Sequence, residues 1–272
     1  MTSPPVVLSI AGSDCCAGAG VQADLKTCAA LGVHCLTAVT AVVAETPLEV
    51  SAIEPVSPAM LGKQVRLLLD TYPVAAIKTG MLVSAEHIHV LVDLLQGVPV
   101  PIVVDPVMVA STGDSLVSGS VLEVYRSHLL PLAQVVTPNK EEALALLGGS
   151  PENALTLEEL SARLSQQFDI ASLLTGGHAK DKESAVDYFS ESGQCEVLSA
   201  PWVDVPYGHG TGCTVSAALA AGLASGLSVL EAARAAKRFV SKALFAQYGW
   251  EGSSQILALD QLSKGSLFAQ ED

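Results

Sequence analysis

Short, continuous runs of Val, Ile, Leu and Ala alternate along this chain with amphipathic stretches, and this alternation strongly constrains the fold. Six of the runs predict strands buried on both faces of a parallel sheet: residues 6–10, 38–43, 74–77, 102–104, 134–137 and 171–174. Between them, apolar residues at spacings of three and four predict helices at 21–31, 58–69, 85–95, 117–129, 140–147 and 157–168. Such alternation predicts a doubly wound, mostly parallel central α/β sheet with helices on both faces and right-handed crossovers.

The pattern changes after Gly177. The segments expected there are an antiparallel edge hairpin formed by residues 185–189 and 196–200, and two helices at 212–225 and 229–247. A polar tail with little periodicity follows from about residue 251. Because no linker or repeat interrupts the chain, we expect one domain over residues 1–272.

Charge and cysteine usage limit the partners and the compartment. With 14 Lys and Arg against 28 Asp and Glu, the net charge of −14 disfavours nucleic acid and anionic membranes as partners. A small phosphorylated ligand remains compatible, because backbone amides and Mg²⁺ can bind it locally. The start of the chain does not resemble a signal peptide, and the six cysteines lack zinc or disulfide spacing. We therefore expect reduced thiols and a cytoplasmic location.

The segment 208–214, Gly-His-Gly-Thr-Gly-Cys-Thr, stands directly before an Ala-rich helical stretch. Its glycines allow the backbone to approach a ligand closely, and the first amides of a helix have no partner within the helix. With the helix dipole, they predict a site for a phosphate or a transferring phosphoryl group. The Cys213 thiol in that first turn is expected to have a lowered pKa and to be a candidate base or nucleophile. The alternative is a glycine turn with an inert, buried cysteine.

Two further motifs follow predicted strands, where doubly wound sheets bind their ligands. Residues 11–20, Ala-Gly-Ser-Asp-Cys-Cys-Ala-Gly-Ala-Gly, form either a loop with room for a ligand or a tight turn. This segment lacks the complete glycine fingerprint of dinucleotide-binding proteins, which disfavours an oxidoreductase. In residues 137–142, Asn139 and Glu142 are candidates to face phosphate and Mg²⁺, or to form an N-cap with the carboxylate reaching back.

Two shorter motifs also stand at strand ends. Asp105, in Asp-Pro-Val-Met, is a metal-ligand candidate if a phosphate lies beside it, and otherwise a structural residue. Residues 175–178, Thr-Gly-Gly-His, contain glycines that allow a nucleotide to pass close to the backbone, whereas His178 alone is typical of a packed or surface residue.

In their order and spacing these motifs resemble the hydroxymethylpyrimidine/phosphomethylpyrimidine kinases of thiamine biosynthesis, which belong to the ribokinase-like superfamily. The resemblance extends from about residue 6 to residue 247. It is carried by residues 11–27, by Lys-Thr-Gly-Met-Leu at 78–82, and by the motifs that begin at residues 105, 137 and 209. The resemblance implies a kinase that uses ATP and Mg²⁺ at the carboxyl edge of the sheet, and a homodimer by analogy.

The resemblance also implies a role for individual positions. Cys213 would be the catalytic base, and the backbone at Gly210 and Gly212 would stabilise the phosphoryl group. The pyrimidine pocket would be lined by Ala19, Val43, Glu45, Met81 and Val107. The nucleotide would be bound by Asn139, Glu142, Thr175, Gly177 and Thr211, and the metal by Asp105 and Glu142.

Two departures from the family pattern leave alternatives open. Glu45 stands where Gln is common, and an ionised Glu can only accept hydrogen bonds, whereas an aminopyrimidine also needs a donor. A pyridoxal (vitamin B6) kinase is therefore the second hypothesis, since a protonated pyridine ring would pair with Glu45. Thr175 replaces a common Lys, which removes one positive charge near the nucleotide phosphates. A catalytically weak pyrimidine-binding homologue is the third hypothesis.

Overall fold

The computed structural model describes residues 3–108, 119–148, 155–176, 183–204, 208–251 and 256–262. The strands are β1 (Val6–Asp14), β2 (His34–Thr46), β3 (Glu49–Pro55), β4 (Val74–Thr79), β5 (Ile102–Val104), β6 (Val135–Val136), β7 (Ala171–Leu174), β8 (Ser184–Glu191), β9 (Gln194–Pro201), β10 (Tyr248–Gly249) and β11 (Leu257–Ala258). The α-helices are α1 (Gly20–Ala30), α2 (Pro58–Thr71), α3 (Ala85–Leu95), α4 (Gly119–Val124), α5 (Lys140–Leu147), α6 (Leu157–Phe168), α7 (Thr211–Ala224) and α8 (Val229–Phe245).

The described strands β1 to β9 form one nine-stranded sheet in the order β3-β2-β1-β4-β5-β6-β7-β8-β9. The six strands from β2 to β7 in this order pair in parallel, whereas β3 at one edge and the β8–β9 hairpin at the other pair antiparallel. The chain runs outward from β1 in both directions, so the predicted doubly wound α/β sheet and the predicted edge hairpin are confirmed.

Alternate residues of β1 pack into two different hydrophobic clusters. Leu8 and Ile10 contribute to the cluster under α2, α3, α5 and α6, whereas Val7 contributes to the one under α7 and α8. All three are almost completely buried, because helices cover both faces of the sheet. The central strand is therefore held rigidly, and the residues at its carboxyl end have a fixed position.

Local capping signals set several helix boundaries. Ser84 caps α3 by accepting the His87 N–H, as its position before the apolar pattern predicts. Thr156 caps α6 and forms a capping box with Glu159. The predicted ranges of α3, α5 and α6 agree with the structure because these caps act within a few residues of sequence.

The structure corrects the sequence analysis in three places. Residues 49–55 form an edge strand that was not predicted, and the neighbouring Val42 is 56% exposed, so β2 is not buried on both faces there. The helix predicted at 117–129 contains a π-helical segment over Tyr125–Leu129 and continues into a 3₁₀ turn, Leu130–Leu132; its first two residues lie outside the described part.

Part of the segment predicted as a polar tail packs onto the domain. Strands β10 and β11 pair antiparallel, and Gln261 is buried and donates to Thr214 Oγ1 at 3.3 Å. Within the described ranges, no helix has the length and apolarity needed to cross a membrane.

Two ion pairs tie α8 to the edge hairpin and differ in burial. Lys237 Nζ lies 2.9 Å from Asp187 Oδ2 with both side chains buried, and Asp187 Oδ1 also accepts the Gly176 N–H. Arg234 forms a bidentate pair with Glu196 at 2.6 Å on the surface. A buried pair leaves an uncompensated charge when one partner is lost, whereas an exposed pair contributes little.

We therefore predict that Lys237→Met lowers the free energy of unfolding by about 3–5 kcal/mol, because Asp187 stays buried without its cation. Arg234→Met, the same replacement on the same helix, should leave the urea midpoint almost unchanged. Equilibrium urea unfolding checks both variants. Equal losses in the two variants would contradict the role assigned to the buried pair.

Candidate active site

Polar side chains gather at the carboxyl ends of adjacent parallel strands, opposite the N-terminus of α7. Asp14 ends β1, Lys78 lies near the end of β4, and Asp105 directly follows β5. The segment before α5, with Asn139, follows β6. The sheet thus brings together residues from distant parts of the chain, as expected for this class of fold.

Lys78 is fully buried at the centre of this group. Its Nζ donates to both carboxylate oxygens of Asp24 on α1, at 2.9 and 3.0 Å, and lies 3.9 Å from Asp105 Oδ2. Burial by itself would lower the pKa of Lys78, but Asp24, Cys213 and Asp105 outweigh it and raise that pKa. Lys78 is therefore a permanent positive charge beneath the site.

Two buried carboxylates, Asp105 and Glu142, lie close to one another at this edge of the sheet. Asp105 accepts a hydrogen bond from Ser216 Oγ of α7 at 2.8 Å, and its pKa is raised by burial against the opposing effect of Lys78. Burial and the charge of Asp105 raise the pKa of Glu142 to about 8. Because the charge of Asp105 raises the pKa of Glu142, this pair of carboxylates is under-compensated and suited to a cation.

Glu142 also takes part in the N-cap of α5, which the sequence analysis gave as the alternative to binding phosphate and Mg²⁺. Asn139 Oδ1 accepts the Glu142 N–H, and Glu142 Oε2 accepts the Asn139 N–H, both at 2.9 Å. Glu142 Oε1 is in addition 3.4 Å from the Met108 N–H. The capping box is thus confirmed, and it holds the carboxylate in one orientation next to Asp105.

Cys213 lies in the first turn of α7, within the second of two glycine loops, which are residues 11–20 and residues 208–214. The Gly20 N–H makes a hydrogen bond to its sulfur, and Lys78, Asp105 and Asp24 act on it electrostatically. Burial raises the pKa of Cys213 to about 12; Lys78 opposes this, whereas Asp105 and Asp24 add to it. The predicted lowering of this pKa is therefore wrong, because desolvation and two carboxylates outweigh the helix N-terminus.

The two glycine loops interlock so closely that side chains are excluded at their contact. Gly210, the N-cap of α7, has φ 81°, and a Cβ there would lie 1.9 Å from Gly18 O. A Cβ on Gly18 would lie 2.4 Å from His209 Cδ2. Gly20 has φ 58°, and a Cβ there would lie 2.3 Å from Gly12 O. The amides of the first turn of α7 therefore have a position fixed by the first loop.

Asp14 holds the contact between these loops. Its Oδ2 accepts the N–H groups of Gly18 and Ala19 at 2.9 and 2.7 Å, and it lies 2.9 Å from His209 Nε2. Its Oδ1 accepts the Cys16 N–H at 2.8 Å. Burial opposes ionisation, but these hydrogen bonds, with His209 foremost, hold the pKa of Asp14 well below its usual range.

Small and apolar residues lie beside residues 11–20. A Cβ on Gly12 would lie 2.7 Å from Met81 Cε and 3.7 Å from Val43 Cγ2, so both side chains reach this point. Ala19, the N-cap of α1, and Val107 are partly exposed. The structure thus brings the Met81 and Val43 side chains together beside Gly12.

Glu45 lies near the end of β2, and a neighbouring cysteine holds its backbone. The Cys15 sulfur accepts the Glu45 N–H and donates to the Glu45 carbonyl, each at 3.3 Å. Burial and the charge of Asp14 raise the pKa of Glu45, against the smaller opposing effect of His209. The raised pKa favours the neutral carboxyl, which can donate as well as accept.

The remaining predicted positions have mostly local partners. Thr211 Oγ1 donates to Gly208 O at 2.7 Å and closes the turn before α7. The Thr175 N–H donates to Pro138 O at 2.9 Å, which joins the ends of β6 and β7. Gly212 is exposed at the start of α7. Gly177 and His178 lie outside the described residues.

Sequence reasoning missed the roles of Asp14, His209 and Lys78. A lysine inside the apolar run of β4 was a usable signal, because a buried lysine needs a carboxylate partner. Asp14 and His209 are 195 positions apart, and neither stands in a spacing that predicts their contact. Ser216, which links α7 to Asp105, likewise sits in an unremarkable Ala-rich helix.

The fold and the position of the site define an α/β kinase of the ribokinase-like class. The crystal structure of an ADP complex of Bacillus subtilis pyridoxal kinase matches the chain with a TM-score of 0.86 and 33% identity, covering 95% of this chain and 98% of that one. The two structures therefore share one fold over nearly all of this chain.

The chain belongs to the phosphomethylpyrimidine kinase family, whose model matches residues 14–256. It is 42% identical over 246 residues to the hydroxymethylpyrimidine/phosphomethylpyrimidine kinase of Streptomyces coelicolor, covering 90% of this chain and 91% of that protein. It is 40% identical over 242 residues to the chloroplastic thiamine biosynthetic bifunctional enzyme of Arabidopsis thaliana, covering 88% of this chain but 46% of that protein. The resemblance seen in the sequence motifs is thus confirmed.

The interlocked loops yield a prediction about stability. Gly210→Ala should lower the melting temperature by roughly 5 °C or more, because it adds left-handed strain to a clash with Gly18 O. Gly212→Ala is the matched control: a Cβ there meets nothing within 4 Å, and alanine favours a helix. Thermal unfolding measures the melting temperature of both variants. Equal melting temperatures for Gly210→Ala and Gly212→Ala would contradict the close contact between the two loops at Gly210.

Proposed function

We propose that this chain transfers the terminal phosphoryl group of ATP to 4-amino-5-hydroxymethyl-2-methylpyrimidine, and then phosphorylates the monophosphate to the diphosphate, in thiamine biosynthesis. One observation carries the proposal: Cys213 and the amides at the start of α7 lie at one sheet edge with Lys78 and Asp105. The names of the most similar family members, and the ADP bound to the related pyridoxal kinase, support the choice of pyrimidine and nucleotide.

The phosphoryl group would bind at the start of α7. Amides in the first turn of a helix have no partner within the helix, and the N-cap Gly210 offers no side chain to satisfy them. The amides of Gly212 and Cys213 would therefore stabilise the charge that develops on the transferring group. Asn139, Thr175, Gly177 and Thr211 are proposed to bind the nucleotide.

The carboxylates Asp105 and Glu142 fit a magnesium ion. They are hard oxygen ligands, they are buried, and the charge of Asp105 raises the pKa of Glu142, an effect that a divalent cation would reverse. When bound, Mg²⁺ supplies charge neutralisation for the phosphate groups. Glu142 is oriented for this role by its bond from the Asn139 N–H, and Asp105 by its bond from Ser216 Oγ.

Cys213 is proposed as the group that takes the proton of the substrate hydroxyl. Burial and the charges of Asp105 and Asp24 raise the pKa of Cys213 to about 12, so the thiol would have to release its own proton to solvent before it could accept one from the substrate. Lys78 already favours the thiolate, and a cation that neutralised Asp105 would lower this pKa further. Phosphoryl transfer requires mainly positioning and charge neutralisation, so a base that acts late in the reaction is sufficient.

Glu45, with Ala19, Val43, Met81 and Val107, is proposed to bind the pyrimidine. A flat heteroaromatic ring suits apolar walls with one polar residue. A neutral Glu45 would donate to a ring nitrogen and accept from the exocyclic amine, as Gln does. Burial and the charge of Asp14 shift the pKa of Glu45 in the direction that favours this neutral form. An ionised Glu45 would instead favour the protonated ring of pyridoxal, so pyridoxal phosphorylation is the second candidate function.

Turnover assays with ATP and Mg²⁺ test the function against its alternatives. We expect consumption of the pyrimidine alcohol and of its monophosphate, with kcat/KM for the alcohol at least about ten-fold above that for pyridoxal. Cys213→Ala should lower kcat by about 10²–10⁴-fold if the thiol is the base. Turnover of pyridoxal alone would support the B6 kinase, and calorimetric binding without turnover would support a catalytically weak binding protein.

The protonation of Glu45 yields a prediction about pH. The neutral form is present below its raised pKa and is lost as pH increases through that pKa, so KM for the pyrimidine alcohol should increase with pH. In Glu45→Gln the amide does not titrate, and KM should stay flat over the same range. Steady-state kinetics at several pH values measure both proteins. An identical rise of KM in the variant would exclude Glu45 as the titrating group.

A further inference from the structure

A cluster of three different ligand-type side chains lies where the two glycine loops meet. Asp14 Oδ2, Cys16 Sγ and His209 Nε2 all lie within 4.8 Å of one another. The individual distances are 2.9 Å from His209 Nε2 to Asp14 Oδ2, 3.3 Å from Cys16 Sγ to Asp14 Oδ2 and 3.5 Å from Cys16 Sγ to His209 Nε2. Cys16 has no role in the proposed kinase reaction. That reaction therefore does not explain why these three ligand-type atoms lie together.

The three distances are close to those that a tetrahedral zinc ion imposes on its ligands. With ordinary Zn–N, Zn–O and Zn–S bond lengths, tetrahedral ligand atoms lie about 3.3–3.6 Å apart. The cluster differs from these values by no more than about 0.4 Å, a movement that side-chain rotation can supply. A thiolate, an imidazole and a carboxylate form a donor set for Zn²⁺ or a similar transition metal rather than for Mg²⁺.

The surrounding residues hold the cluster in place. The Gly18 and Ala19 N–H groups donate to Asp14 Oδ2, and the Cys16 N–H donates to Asp14 Oδ1, so the carboxylate is ionised and oriented. The His209 ring is confined against Gly18, where no Cβ could be accommodated. Such support from neighbouring hydrogen bonds and packing is what orients ligands around metal ions.

Cys16 is exposed, whereas Asp14 and His209 are buried, so an ion could enter from solvent and keep an open coordination position. Burial and the Asp14 carboxylate raise the pKa of Cys16 to about 12, which means that its thiol is protonated in the absence of metal. An ion that binds would release the Cys16 proton to solvent and replace the contacts of Cys16 and His209 with Asp14 Oδ2. The Cys16 N–H bond to the other carboxylate oxygen, Asp14 Oδ1, lies outside the ligand set.

We propose that Asp14, Cys16 and His209 form a binding site for Zn²⁺ or a chemically similar divalent transition-metal ion. The site is distinct in chemistry from the all-oxygen pair of Asp105 and Glu142. An ion bound there would join the first loop to the loop before α7, and would thereby stabilise the chain by linkage. The binding of this ion does not depend on whether the chain phosphorylates a pyrimidine.

Metal binding by the full chain without nucleotide tests the proposal. After removal of metal by a chelator, Zn²⁺ alone is titrated in competition with a chromophoric chelator, and Co²⁺ is titrated to record thiolate-to-metal absorption. We expect one equivalent to bind the native chain, and affinity to fall by about 100-fold in Cys16→Ser and in His209→Gln. The Co²⁺–thiolate absorption should be absent in Cys16→Ser.

The adjacent thiol provides the matched control. Cys15 is also exposed, but its sulfur contacts the backbone of Glu45 and is not part of the cluster, so Cys15→Ser should bind Zn²⁺ like the native chain. Metal-free melting temperatures of all variants establish that each is folded. Equal affinity in the native chain and Cys16→Ser, or an equal loss in Cys15→Ser, would overturn the proposal.

Discussion

The bond between Lys78 and Asp24 fixes the centre of the molecule. It joins β4 to α1 in the interior, and Ser9 Oγ of β1 donates to the same carboxylate at 2.5 Å. The same cation faces Asp105, which in turn accepts from Ser216 of α7. Since a buried charge without its partner is strongly destabilising, these bonds set the separation between the sheet edge and the start of α7. The catalytic geometry proposed above depends on that separation.

The two glycine loops add a second constraint at the same edge. A side chain on Gly210 would meet the backbone of Gly18, and a side chain on Gly18 would meet the His209 ring. Asp14 and His209 bridge the two loops. The amides proposed to bind the phosphoryl group are consequently preorganised before any ligand arrives. The region proposed to bind the pyrimidine begins at Ala19, whose N–H also bonds Asp14. One carboxylate thus connects the proposed substrate pocket to the proposed phosphate site.

Most of the fold could be predicted, because strong local patterns determine it. The helices α3, α5 and α6 and the strands β5 and β7 have the predicted bounds, since caps and continuous apolar runs act over a few residues. Strand β3 was not predicted, because it is an exposed edge strand and its sequence contains no apolar run. In the candidate site, the motifs lie at strand ends and at the start of α7 as expected, but the pKa of Cys213 has the opposite direction from the one predicted. That pKa depends on burial and on Asp105 and Asp24, and none of these is a neighbour in sequence.

The sequence alone determined the α/β class, the family resemblance and the strand ends at which polar residues would meet. These follow from periodicities and motif spacings within single segments of chain. The tertiary structure decided which residues touch across the sheet: Lys78 with Asp24, Asp14 with His209, and Cys15 with Glu45. It also decided the charge state of the buried groups, because desolvation and the effects of nearby charges depend on distances in space rather than along the chain.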